Sequence, residues 1–135
     1  MEFDWHDFYS LAEELNHLAP ELEVSSAAYR SVISRVYYSV FGLARSYLLN
    51  YSDIYVEDRV ISIHEHVIDF FNHLDDDIFK EIGEELNRLK LKRIDADYDV
   101  TFGSLAGDSL AREALHSIIS AKFLIGNIDG LPQEL

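Results

Sequence analysis

A chain of 135 residues carries 11 lysines and arginines against 25 aspartates and glutamates, a formal charge of −14. So acidic a surface repels a phosphate backbone, which excludes nucleic-acid binding by bulk charge; contact with RNA must be local, through a few focused arginines, and a basic partner protein is equally compatible. The absence of cysteine removes disulfides, thiolate nucleophiles and Cys-ligated zinc, and no apolar run approaches the roughly 18 residues of a membrane span.

The length suits one domain with a single core over residues 1–135. The start, MEFDWHDFYSLAEEL, is acidic and amphipathic instead of basic and then apolar, so no signal peptide is expected and the predicted location is cytoplasmic. Helix one is predicted over about 4–18, with Trp5, Phe8, Ala12 and Leu15 on one face, and Pro20 interrupts it. Helix two is predicted to follow the caps Ser25 and Ser26 and to run to about Asn50. Its core stripe is Tyr29, Ile33, Val36, Tyr37, Val40, Leu43, Ala44 and Tyr47. Helix three is predicted from about Glu57 to Leu74, with Val60, Ile63, Val67, Phe71 and Leu74 inward. Asp75-Asp76-Asp77 supplies a turn and then an N-cap, whose charge suits the positive end of helix four.

Helix four carries Ile78, Phe79, Ile82, Leu86 and Leu89 inward and is predicted to end near Ala96. A loop with Gly103 and Gly107 leads to helix five, which starts near Asp108 and carries Leu110, Ala111, Ala114, Leu115, Ile118, Ala121, Leu124 and Ile125. The tail from Gly126, with Gly130 and Pro132, is expected to fray. Long amphipathic helices with short connections predict an all-α fold, an antiparallel up-and-down bundle of four to five helices.

Opposite the core stripe of helix two lies a row of Ser31, Arg35, Tyr38, Gly42, Ser46 and Leu49, whose small members would let another backbone approach closely. It is either a homodimer seam or an ordinary exposed face. Two Glu-x-x-His pairs, Glu14 with His17 and Glu113 with His116, have the spacing of bundle di-metal sites. Both pairs point away from their apolar stripes, so no metal and no cofactor is expected. His66, Asp69 and His73 share a polar face of helix three, whereas His64 sits beside Val60, Val67 and Phe71 on the inner side.

The stretch KRIDADYD, residues 92–99, departs from the pattern. Continuing the stripe of helix four by one turn lands on Arg93, where a leucine is expected. An arginine on a buried stripe must meet carboxylates or carbonyls, or lie at an opening to solvent. Asp97 is one turn on. Arg93 is therefore either a structural pin for the end of helix four or the lining of a cleft that meets a phosphate.

Three segments in order, SAAYRSVISRVYYSVFGLARSYL (26–48), IHEHVI (63–68) and RIDADYD (93–99), resemble the HEPN superfamily of small helical domains. The likeness is to the branch with a Ser-Arg-x-Tyr-Tyr segment on a long helix and a later Arg-x-x-Ala-Asp-Tyr, and it covers roughly residues 24–128. It implies a prokaryotic, commonly dimeric helical bundle acting in toxin–antitoxin, phage-defence or CRISPR-linked systems, often beside a small nucleotidyltransferase. Active members are metal-independent ribonucleases whose arginine is followed, four to six residues later, by a histidine. Counted with four, five and six intervening residues after Arg93, those positions hold Tyr98, Asp99 and Val100.

The resemblance carries Arg93 and Tyr98 over as catalytic candidates. Asp97, with Arg35, Tyr37, Tyr38 and His64, lines the cleft. Two functions are expected from it. One is an RNA- or nucleotide-binding module, with RNA cleavage as its active form. The other is a non-catalytic dimeric domain that docks a partner such as a nucleotidyltransferase or antitoxin.

Overall fold

A computed structural model describes residues 2–58, 60–103 and 109–134; Gly107 and Asp108, expected in the last loop and at the start of the last helix, lie outside them. The fold is all-α, with five helices packed on one another and no strand among the described residues. They are α1 (His6–Leu18), α2 (Ser25–Tyr51), α3 (Ile63–His73), α4 (Asp77–Tyr98) and α5 (Ser109–Asp129). Among these residues, no helix is long and apolar enough to cross a membrane.

α2 is the axis. Val32, Ile33, Val36, Tyr37, Val40, Ala44 and Leu48 are buried along one side of it, and Ser34, Ser39, Phe41 and Gly42 are buried beyond that arc, so buried positions cover most of its circumference and its neighbours must enclose it. α1, α4 and α5 pack directly on it, and α3 packs chiefly on α4. Pro20 ends α1 as predicted, inside a 3₁₀ turn at Ala19–Glu21 where its missing N–H is tolerated. Ser25 and Ser26 do not cap α2: Ser25 is already helical, and Val24 precedes it with no side-chain cap.

α3 begins six residues later than its apolar spacing suggested, at Ile63, where Ser62 caps by accepting from the Glu65 N–H at 3.4 Å. The stretch before it is held in another shape. Arg45 of α2 grips Glu57 with two hydrogen bonds of 2.8 and 2.7 Å, and the Tyr55 hydroxyl donates to the same carboxylate at 2.6 Å. Ile54, Tyr55 and Val56 also favour extended backbone. The cap of α4 is as expected: Asp76 accepts from the N–H groups of Ile78 and Phe79 at 2.9 and 3.5 Å.

Phe79, Ile82, Leu86 and Leu89 are buried, but Ile78, one position round from Phe79, is 53% exposed. Leu115 on α5 likewise faces out at 48%, beside buried Ala114. Both extend a stripe by one position beyond its buried arc, since neighbours on a helix lie about 100° apart. Nor does the tail fray from Gly126. α5 continues through it to Asp129, Ile128 and Leu131 are buried, and the Tyr47 hydroxyl donates to the Pro132 carbonyl. Burial of those two side chains outweighs the roughly 1 kcal/mol that a glycine costs in a helix. His6 ties the other end of the chain to this region, lying 2.7 Å from Asp4 and 2.9 Å from Asp129.

The small residues of α2 serve an approach within the chain. Trp5 lies over Gly42, where an added Cβ would stand 2.0 Å from the indole, and the Ser39 hydroxyl donates to the Trp5 carbonyl at 2.7 Å. The middle of the row opposite the core stripe is thus filled by the start of α1, and only Ser31 and Leu49 are fully exposed. Gly-to-Ala in a helix ordinarily stabilises by about 1 kcal/mol. Here Gly42→Ala must displace Trp5, and chemical denaturation should show a loss of about 2 kcal/mol, in the range of core overpacking. A gain in stability would mean that α1 does not sit as described.

Candidate functional site

Arg93 projects from the inner stripe of α4 toward α2, with only 12% of its side chain exposed. Its guanidinium carbon lies 5.6 Å from the ring centres of both Tyr37 and Tyr38, adjacent residues of α2. One terminal nitrogen reaches Asp97 Oδ2 at 3.4 Å, a long contact to a carboxylate 29% exposed. Its Nε is buried and has no hydrogen-bond partner. Buried N–H groups are nearly always satisfied, so the arrangement in this slot carries a local cost at this atom.

The surroundings extend the slot. Arg35 lies 5.0 Å from the Tyr38 ring and 4.8 Å from that of Phe8 on α1, so Tyr38 stands between two guanidinium groups. Ser34 links the two arginine environments, accepting from Arg35 at 3.4 Å and meeting Asp97 Oδ2 at 3.5 Å. On α3, His64 stacks on Phe41 with ring centres 4.2 Å apart, and its Nδ1 lies 2.7 Å from the Tyr37 hydroxyl. The predicted cleft residues Arg35, Tyr37, Tyr38, His64 and Asp97 therefore gather around Arg93.

Tyr98 does not join them. It is 74% exposed and lies five residues past Arg93, about 140° round the helix. A residue on that bearing cannot reach a group that Arg93 holds on the inner face, so Tyr98 is corrected from a catalytic candidate to a surface residue.

The end of α4 has a second tie besides the Arg93–Asp97 contact. It comes from Arg30 of α2, a residue the sequence did not single out. Its guanidinium donates to the carbonyls of Ala96 at 2.8 Å, Asp99 at 2.9 Å and Phe102 at 3.1 Å. A cation on the terminal carbonyls satisfies them and complements the helix dipole. Those partners are remote in sequence and are backbone atoms, so no side-chain pattern could have disclosed them. Arg93 keeps its contact with Asp97 and faces Tyr37 and Tyr38.

Protonation follows from burial. Tyr37 is buried and its pKa is pushed well up, with Arg93 opposing, so the hydroxyl keeps its proton. That hydroxyl and Nδ1 of His64 share a hydrogen bond; with the hydroxyl donating, the neutral ring carries its proton on Nε2. The pKa of His64 is lowered, first by burial and then by the charges of Arg93 and Lys90. At neutral pH a guanidinium and a neutral imidazole thus lie together beside the partly open Tyr38 and the fully buried Tyr37.

The other histidines are placed otherwise. His66 and His73 are turned onto the backbone carbonyls of Val56 and Asp69, and His17 and His116 are exposed. Glu113 pairs with Lys92. Among the described residues, no group of three or more His, Asp or Glu side chains is placed to hold a metal ion. Compared with known proteins, the chain matches no protein-family model, no curated protein and no solved structure.

Arg93 and His64 can be tested as neighbours by titration. Because the folded pKa of His64 is lowered, its neutral form favours the fold above the unfolded value of about 6.5, and that contribution is lost as pH falls toward the folded value. In Arg93→Gln one cause of the lowering is gone, so the His64 midpoint followed by NMR should rise toward the ordinary value. An unchanged midpoint would place the two groups further apart than described.

Proposed function

We propose that this chain is a HEPN-like module that binds RNA or a nucleotide, with Arg93 meeting a phosphate. The observation that carries the reading is the buried, unpartnered Nε of Arg93 in a slot faced by Tyr37 and Tyr38. A guanidinium on such a slot presents planar donors to phosphate oxygens. Arg35 and Arg93, both over the Tyr38 ring, bring two guanidinium groups to one place. In a chain of charge −14, two arginines 5.0 and 5.6 Å from one ring focus positive potential where the rest of the surface repels phosphate.

The resemblance extends this reading to a dimeric component of a prokaryotic toxin–antitoxin or phage-defence system. In its active form, Arg93 stabilises charge developing on the phosphate, and His64 in its imidazolium form, populated as pH falls toward its lowered pKa, gives a proton to the leaving oxygen and returns to the neutral ring. His64 then takes the part of the histidine that the family places after its arginine.

Asp97 favours a second reading. Its carboxylate lies across Arg93 and repels an incoming phosphate, as suits a non-catalytic domain that docks a nucleotidyltransferase or antitoxin.

Anisotropy of a labelled short single-stranded RNA decides between them. Wild type should bind saturably, and Arg93→Gln should weaken binding by roughly tenfold or more, the size of a lost charge-assisted hydrogen bond. The salt slope should fall by about one. The melting temperature should stay close to that of wild type. A large loss of stability in Arg93→Gln with unchanged RNA binding, or no binding by wild type, would return Arg93 to a structural role.

A further inference from the structure

His6 bridges two segments that lie far apart in sequence. It is the first residue of α1, and both nitrogens of its ring face carboxylate oxygens. Nδ1 lies 2.7 Å from Asp4 Oδ1, and Nε2 lies 2.9 and 3.2 Å from the two oxygens of Asp129, the last residue of α5. A carboxylate only accepts, and a neutral imidazole has one donor. Both contacts are therefore hydrogen bonds only while the ring is imidazolium. Asp4 is the local partner, since its Oδ1 also accepts from the His6 backbone N–H at 3.0 Å. The contact with Asp129 depends on the ring alone. A neutral ring keeps Asp4 and turns a lone pair toward Asp129.

The bridge holds an arm of residues 2–5 that lies across α2. Trp5 covers Gly42, and the rings of Phe3 and Phe8 pack on it with centres 5.1 and 5.8 Å away. Burial seats this arm loosely. Phe3 is 50% exposed, and a groove of about 280 Å³ lined by Phe3, Trp5, Ser46 and Leu49 separates part of the arm from α2.

Charge around His6 is one-sided. Glu2, Asp4 and Asp7 flank it in sequence, and Asp129 faces it from α5. The residues of α2 beneath the arm, Ser39, Gly42 and Ser46, carry no charge. Arg35 is occupied over Phe8 and Tyr38, and Arg45 on Glu57. Lys122 stands seven residues before Asp129, about 10 Å back along the axis of α5. Burial opposes the charge on His6, but the hydrogen bonds and charges of Asp129 and Asp4 outweigh it, and its pKa is raised.

We propose that the His6–Asp129 bridge is a pH-released latch: protonated, it clamps the arm to the end of α5, and deprotonated, it lets the arm lift from Gly42. With the folded pKa raised, the bridge stabilises the fold fully below the unfolded value of about 6.5, and this is lost as pH rises through the folded value. The sign is opposite to that of His64. The latch asks nothing of Arg93, so it stands whether or not Arg93 binds phosphate.

Trp5 is the one tryptophan of the chain and reports on the arm directly. Its quenching by acrylamide reads access to the ring, which a proton on the neighbouring residue does not itself alter. Between about pH 5 and 8 the quenching constant should rise about twofold or more, with the midpoint of the His6 ring signal followed by NMR. In His6→Gln the quenching should be high and independent of pH. In Asp129→Asn the amide can accept from the charged ring or donate to the neutral one, so the His6 midpoint should fall and quenching should cease to follow pH. His6 and Asp129 are 43% and 49% exposed, so both variants should keep the circular dichroism of wild type. If His6→Gln does not fold, Asp129→Asn decides alone. A His6 midpoint at or below the ordinary value overturns the proposal, as does titration of His6 that leaves Trp5 quenching unchanged. So does a pH dependence of quenching that survives in the variants.

Discussion

The packing around α2 is the constraint on which the rest depends. A helix buried around most of its circumference cannot lie on a surface, so other helices must enclose it. Trp5 closes down on Gly42, α4 and α5 cover other sides, and Leu131 and Ile128 extend the cover past the end of α5. What this enclosure leaves uncovered is informative. Between α1 and the α3–α4 pair, Tyr38 and Arg35 remain partly open, and it is there that Arg93 and His64 converge.

Two arginines next to this opening show how context divides one side chain into two roles. Arg30 is satisfied by three backbone carbonyls at the end of α4, an arrangement that asks nothing of a ligand. Arg93 has tyrosine faces, a long contact to Asp97 and an Nε without a partner. Burying a guanidinium costs stability unless its donors are met, so the fold sustains an arrangement that an external acceptor would improve. Functional sites are where such local costs persist.

Much of this was legible in the sequence where the physics is local. The stripe of α4, the Asp76 cap, the break of that stripe at Arg93 and the inward bearing of His64 all follow from helical spacing. So does the Arg93–Asp97 contact one turn on. Spacing failed where a distant residue decides. Residues 57–62 keep an apolar rhythm, yet Arg45 holds Glu57 outside any helix. The tail carries two glycines and a proline, yet Tyr47 and two buried side chains hold it. Tyr98 was drawn in by the motif around it, although its place on the helix turns it outward. The role of Arg30 depends on carbonyls, which leave no mark in a sequence.

The central claim is that the Arg93 guanidinium meets phosphate, and its own NMR signal tests this most directly. On titration with a nucleoside monophosphate, the Arg93 Nε–Hε resonance should shift saturably and its exchange with water should slow, as the proton gains an acceptor. A resonance that stays in place throughout the titration, while the nucleotide binds elsewhere or not at all, would contradict the account.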